Sequence, residues 1–287
     1  MMVLKGGIKM RINGKDKMFF AFKYTGLGLF TLTCIYPIIW LLISSFKTND
    51  ELFANPWGMP EAFGFKNYIS AMVDGKIGTY FTNSVIIAVI AVLAGAVLSC
   101  MAAYAISRMK WKLSGIMMNI FLLGMMIPAY ATIIPLFNMF NKVNLLNTHA
   151  SVIIPHIANS FPMAIFILTG FFLSIPRDIE EAAVMDGCSI YRIFYQIIMP
   201  ISKSSVVTVA VIVFINIWND LLLPQIFLTD QSKMTLPVGL TAFQGQYATD
   251  YTAMIAAVVI TIIPSVIVYI LLHRNIMEGM VAGAVKG

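Results

Sequence analysis

Six stretches of the chain, at 24–46, 77–107, 113–141, 143–176, 204–228 and 251–272, carry almost no formal charge, and Asp220 is the exception inside the fifth. Each exceeds the roughly 20 residues that a helix rising about 1.5 Å per residue needs to cross a bilayer core. The pattern therefore predicts six transmembrane helices. Within the second stretch Ala88, Ala91, Gly95, Ser99 and Ala103 recur at three- and four-residue steps, and Ala253, Ala257, Thr261 and Ser265 do so in the sixth. In lipid, small residues let helix backbones approach, so both stripes predict packing seams. Pro37, Pro128, Pro135, Pro155, Pro162 and Pro264 fall well inside spans, where each removes a helical hydrogen bond and invites a kink.

A polar island at 180–200 interrupts this apolar pattern between the fourth and fifth stretches. Ser174, Pro176, Asp178, Glu180 and Glu181 predict a helix start, with proline near the first turn and acids where the helix dipole favours them. Ile179, Ala182 and Ala183 give that helix one modest apolar face. Gly187 is placed to end it in the left-handed conformation, and Ser189 to cap a second helix. In that helix Ile190, Ile193, Phe194, Ile197 and Ile198 form one apolar stripe, and Pro200 closes it before the fifth span. A short exposed helix on a supported hinge suits docking into a groove of a partner, and an ordinary capped interhelical loop has the same pattern.

Composition agrees with the spans, since 59% hydrophobic and 11% charged residues are far from a soluble domain's usual shares. Of the 19 Lys and Arg residues, 14 fall on the N-terminal tail, the loops after spans two and four, and the C-terminal tail. Positive residues concentrate on cytoplasmic loops, which predicts both termini and the polar island in the cytoplasm. The formal charge of +6 calls for no nucleic-acid partner, because topology and anionic lipid headgroups explain basic cytoplasmic loops. The first stretch is too long for a cleaved leader and shows no small-residue cleavage site near Ser44, so it reads as a retained anchor. The expected organisation is a cytoplasmic tail at 1–23, a six-helix membrane domain at 24–272 with the polar loop at 174–204, and a C-terminal cytoplasmic tail at 273–287.

Candidate chemistry inside the spans is sparse. Asp220 is expected about 24 Å along a continuous fifth helix, close to the outer surface. With Asn216, Trp218 and Asn219 it forms a polar cluster that either hydrogen-bonds the hydroxyls of a passing solute or binds neighbouring helices. His149 and His156 share one helical face near the outer end of the fourth span, and without a carboxylate they read as interfacial groups. Cys34, Cys100 and Cys188 form no CxxC pair, so neither a disulfide framework nor a metal site is expected. No stretch fits a phosphate-binding G-x-x-x-x-G-K-[ST] loop, a GxSxG elbow or an HExxH helix, so no catalytic residue is assigned. Any energy for transport must come from another subunit.

The island resembles the EAA loop of permease subunits of ATP-binding-cassette importers. Glu181, Ala182, Ala183, Gly187, Ile197, Met199 and Pro200 match that pattern, with Met199 in place of leucine as the one departure. The runs IPRDIEEAAVMDG, NIWNDLLLP and LPVGLTAFQGQYATDY and the terminal GAVKG look like the maltose-type sugar-importer permeases, over roughly 83–287.

The resemblance implies an all-α polytopic protein with the type I importer permease fold, one half of a heterodimeric pore in a bacterial cytoplasmic membrane. The implied partners are a second homologous permease, two ATPase subunits that carry the ATP and Mg, and an extracytoplasmic sugar-binding protein. Glu181, Ala182, Ala183, Asp186 and Gly187 would seat in the ATPase. The loop at 236–251 would reach the binding protein, with Gln244 and Gln246 competing for sugar hydroxyls. The sugar itself is not readable, and a polyol or glycerol-phosphate-like solute remains an alternative. A self-contained secondary carrier and a membrane scaffold that passes no solute are further alternatives.

Overall fold

The computed structural model describes residues 14–246 and 250–284, with side chains described over 18–241 and 250–275. Among these residues helices are the only regular secondary structure, in the order α1 (Gly14–Ser44), α2 (Asn49–Ala54), α3 (Lys66–Val73), α4 (Ile77–Ser107), α5 (Ser114–Gly124), α6 (Ile133–Lys142) and α7 (His149–Ser174). There follow α8 (Asp178–Met185), α9 (Ile190–Ile193), α10 (Met199–Ile201), α11 (Lys203–Trp218), α12 (Leu222–Phe227), α13 (Leu236–Gln246) and α14 (Tyr251–Ala284).

By length and composition α1, α4, α7 and α14 can each cross a membrane, and two bent pairs raise the number of candidate spans to six. The third predicted span is broken, not continuous. Pro128 leads into a 3₁₀ turn at Ala129–Thr132, and the helices on either side are bent by 89°. A proline-disrupted ladder explains the break, whereas α1, α7 and α14 continue through Pro37, Pro155, Pro162 and Pro264. The fourth span starts later than expected, at His149, because Asn144 and Asn147 turn the chain with positive φ of 54° and 58°. The fifth also departs from expectation: α11 stops at Trp218, and α12 is a separate helix. Its other end bends by 77° from the helical segment at Ile190–Ile201.

The core sits where α4 packs along α7 and α11 along α14. Ala88, Ala91, Ser99 and Ala103 are almost wholly buried, and a Cβ on Gly95 would come within 3.2 Å of Ser160 Oγ, so this stripe is a close helix seam. Ala253 and Ala257 are likewise buried, while Thr261 and Ser265 are half-buried. By contrast, α1 buries none of its apolar window against this chain.

The two ends of the bundle differ. At one end α2 and α3 tie to the start of α14, where Asn49 Nδ2 donates to Asp250 Oδ1 (3.3 Å) and Thr252 N–H donates to Asn49 Oδ1 (3.2 Å). Lys47, an ordinary loop charge in the sequence, is 1% exposed there and donates to the carbonyls of Asn55 (3.0 Å) and Pro56 (3.1 Å). At the same end α13 lies against α4, with Leu236 N–H donating to Ser84 Oγ at 2.8 Å. The polar island lies at the other end.

Candidate functional site

The island is built from α8 to α10. Asp178, Glu180 and Glu181 occupy the first turn of α8, next to its positive dipole end. Ala183 is the one buried residue of α8 and Glu180 is half-buried beside it, while Glu181, Ala182, Asp186 and Gly187 are exposed. Gly187 has φ of +77°, its N–H donates to Val184 O (3.0 Å) and that of Cys188 donates to Ala183 O (2.9 Å). This is the Schellman closure, which needs a residue without a Cβ penalty at the left-handed position. Ser189 then accepts the N–H of Arg192 through its side chain and starts α9.

The second helix is not uniform as the sequence pattern suggests. A π turn at Phe194–Ile198 separates α9 from α10. Pro200 has no N–H to return to the preceding turn, and the wider turn, in which Met199 N–H donates to Phe194 O, absorbs that gap. Ile193, Phe194 and Ile198 are buried by it, and Ile190 is left 41% exposed. The sharp bend into α11 follows at Ser202.

Behind α8, the guanidinium of Arg108 at the end of α4 is ion-paired with Glu180, its Nε 3.2 Å from Oε2 without a hydrogen bond between them, and its Nη2 donates to Ile175 O (2.9 Å). In sequence Arg108 counts only as a topology charge, and no local pattern reveals that pairing. Exposed Glu181 and Lys110 and exposed Arg177 line a recess beside it.

A second polar feature opens between α7, α11 and the 3₁₀ turn. It is a cleft of about 290 Å³ whose polar lining is Tyr130, His156, Asn159, Ser160, Asn216 and Asp220. That volume is near the lower end for small-ligand sites. Asp220 is not at the surface end of a continuous helix, as the sequence implies: the helix has ended, and the residue turns inward to 8% exposure. Its Oδ1 accepts Leu222 N–H (3.1 Å), and its Oδ2 lies 3.5 Å from His156 Nε2. His156 therefore has the carboxylate that its sequence neighbourhood lacks, supplied from 64 positions away in the chain. Its depth is about 10 Å along α7 from His149.

Of the four polar residues at 216–220 only Asn216 and Asp220 line this cleft. Trp218 faces the other way, stacked on Phe214 with centroids 5.5 Å apart and donating Nε1–H to Thr261 O at 3.1 Å. Asn219 is exposed and bonds back to Ile215 O (2.8 Å). The side chains of Gln244 and Gln246, and the terminal 285–287, lie outside the described residues.

Residues 95–277 match the model of a family described as the binding-protein-dependent transport system inner membrane component. The chain is 35% identical to the diacetylchitobiose uptake system permease protein NgcG of Streptomyces coelicolor, over 94% of this chain and 90% of that protein. It is 33% identical to the trehalose/maltose transport system permease protein MalG of Thermococcus litoralis, over 91% and 95% respectively. Its fold is similar to a chain of a bacterial ABC transporter involved in the import of the acidic polysaccharide alginate, with a TM-score of 0.78 and 24% identity over 91% of this chain and 98% of that one.

Proposed function

This chain belongs to the family of binding-protein-dependent transport system inner membrane components, and we propose that it is the membrane-spanning permease subunit of an ATP-driven oligosaccharide importer. Six spans with both termini in the cytoplasm place the α8–α10 loop on the cytoplasmic side, in accord with the distribution of Lys and Arg. The loop docks on an ATPase subunit that holds the ATP and Mg. A second, homologous permease completes the pore, and an extracytoplasmic binding protein delivers the sugar at the α2–α3 and α12–α13 end.

The observation that carries this reading is the two-sided α8: Ala183 packed inward, with Glu181, Ala182, Asp186 and Gly187 presented outward. Such a surface accepts a partner without unfolding the bundle. From it the chain runs through the π turn to the 77° bend and into α11, which carries Asn216 into the cleft. Movement of the docked loop thus reaches the cleft through one continuous segment, as required of an element with two arrangements biased by nucleotide elsewhere. The relatives that take up diacetylchitobiose and trehalose or maltose handle neutral, hydroxyl-rich solutes. Amides and a carboxylate beside apolar walls suit hydroxyl groups. Asn216 and Asp220 are the path residues of this proposal. Gln244 and Gln246 are its contacts to the binding protein.

Purification of the tagged chain from its native membrane in mild detergent tests the proposal. An ATPase subunit and a second permease co-elute with the wild type, and Glu181→Lys loses the ATPase while the chain still inserts. Co-elution of neither subunit with wild type, or full retention of the ATPase by Glu181→Lys, would count against it.

A further inference from the structure

We propose that Arg108 is a positioning residue for coupling, a buried strut that fixes α8 to the ends of α4 and α7 so that the three move together. The inference rests on the reading of the α8–α10 loop as the ATPase-docking element.

Packing alone holds α8 weakly. It has eight residues, and Ala183 is its one buried side chain, so a partner pulling on its exposed face meets little apolar resistance. The Arg108 side chain supplies the missing attachment. It is 2% exposed, and a guanidinium at that depth is costly to bury unless it is paired and hydrogen-bonded. Arg108 itself is the C-cap of α4, its N–H bonded to Tyr104 O at 2.9 Å. Its Nη2 bonds the carbonyl of Ile175, the C-cap of α7. Its charge is met on α8 by the Glu180 carboxylate, an ion pair with Nε 3.2 Å from Oε2 and no hydrogen bond between them. One planar group thus joins three helices at their ends, a geometry that a guanidinium offers and an ammonium does not.

Tyr104, one turn earlier, reinforces the joint. Its ring lies 6.4 Å from Phe172 of α7 and 5.0 Å from Phe194 in the π turn. Glu180 and Glu181 therefore divide the work: Glu180 faces inward to the strut, and Glu181 faces outward to the partner. The sequence motif includes only the second.

The test uses the complex of this chain with its partner subunits, in vesicles, with Arg108→Ala, Glu180→Ala, the double variant and Arg108→Lys. The expected result has three parts. The ATPase still co-purifies with every variant and still hydrolyses ATP, because the outward face of α8 is unchanged. Sugar taken up per ATP falls by about tenfold or more in both alanine variants, and the double variant is no worse than Arg108→Ala, as befits a shared interaction. Amides of Glu181 to Val184 exchange about tenfold faster in Arg108→Ala, while those of central α4 do not change. Arg108→Lys, which keeps the charge without the fork, recovers part of the coupling.

Unchanged uptake per ATP in Arg108→Ala, additive losses in the double variant, or unchanged α8 exchange would overturn the strut. A general fall in melting temperature that tracks the loss of uptake would reduce Arg108 to a folding role and overturn it too. A wild-type chain that binds no ATPase while Arg108→Ala still loosens α8 refutes the docking reading, and the coupling role with it.

Discussion

Gly187 allows the loop geometry to be tested by a single change whose cost can be worked out. Its φ is +77° and no heavy atom lies within 4 Å of an ideal Cβ, so a substitution there meets backbone strain and no collision. An L-residue with a Cβ loses roughly 1–2 kcal/mol in the left-handed region, and Asn, whose short side chain bonds locally, loses less. A β-branched residue loses the most. Gly187→Ala should therefore raise local opening of the α8 end by about 5–30-fold, with Asn between Gly and Ala and Val beyond Ala. The assay is hydrogen exchange of the Cys188 amide, which is bonded to Ala183 O at 2.9 Å, measured on the purified complex. The order Gly, Asn, Ala, Val from slowest to fastest is the signature of φ strain. Equal exchange in Gly and Ala, or Asn as fast as Val, would refute the reasoning.

Other consequences follow from packing and charge. A Cβ on Gly239 would overlap the ring of Tyr80, so Gly239→Ala should destabilise the α13–α4 contact by about 1–3 kcal/mol, read as a lower melting temperature, and combined with Tyr80→Ala it should cost clearly less than the sum of the two single changes. Asp220→Leu removes the acceptor of Leu222 N–H and the carboxylate beside His156, and should lower stability by about 1–3 kcal/mol; Asp220→Asn keeps the acceptor and should cost clearly less, as melting curves will show. Glu51 is held below its ordinary value of 4.5 by the N–H groups of Thr48 and Glu61. Being depressed, it stabilises the 48–61 segment above that ordinary value and loses the effect as acid titrates it through its lower folded value. Fluorescence of Trp57, which lies 6.0 Å from Trp40 between ring centroids, should change in that acid window and not in Glu51→Gln.

Much of the architecture was written in hydropathy. The runs that became α1, α4, α7 and α14 were legible because each is long, apolar and nearly free of charge, enough to outweigh the prolines inside α1, α7 and α14, and the small-residue stripe of α4 proved to be a close-packed seam. The breaks were not legible. Hydropathy continues smoothly through 125–128, and the polar Asn219–Asp220 pair sits inside a run that is apolar again at 221–223, so only backbone chemistry at Pro128 and the Leu222–Asp220 bond reveals where the helices stop. The loop caps were readable from local spacing, down to Gly187 and Ser189. Long-range pairs were not: Arg108 with Glu180, and His156 with Asp220, join residues whose own neighbourhoods give no sign of a partner. Nor does the sequence around Lys47, an isolated charge just after the first apolar stretch, show that it is a buried donor to two carbonyls.

The central claim is that this chain passes sugar only when an ATPase moves its α8–α10 loop. Vesicles holding the full complex and the binding protein can be supplied with a radiolabelled oligosaccharide, with and without ATP at the ATPase face. Accumulation that requires ATP, and that Glu181→Lys abolishes, is the predicted result. Accumulation driven by an ion gradient without ATP, or label left outside the wild-type vesicles despite ATP hydrolysis, would contradict it.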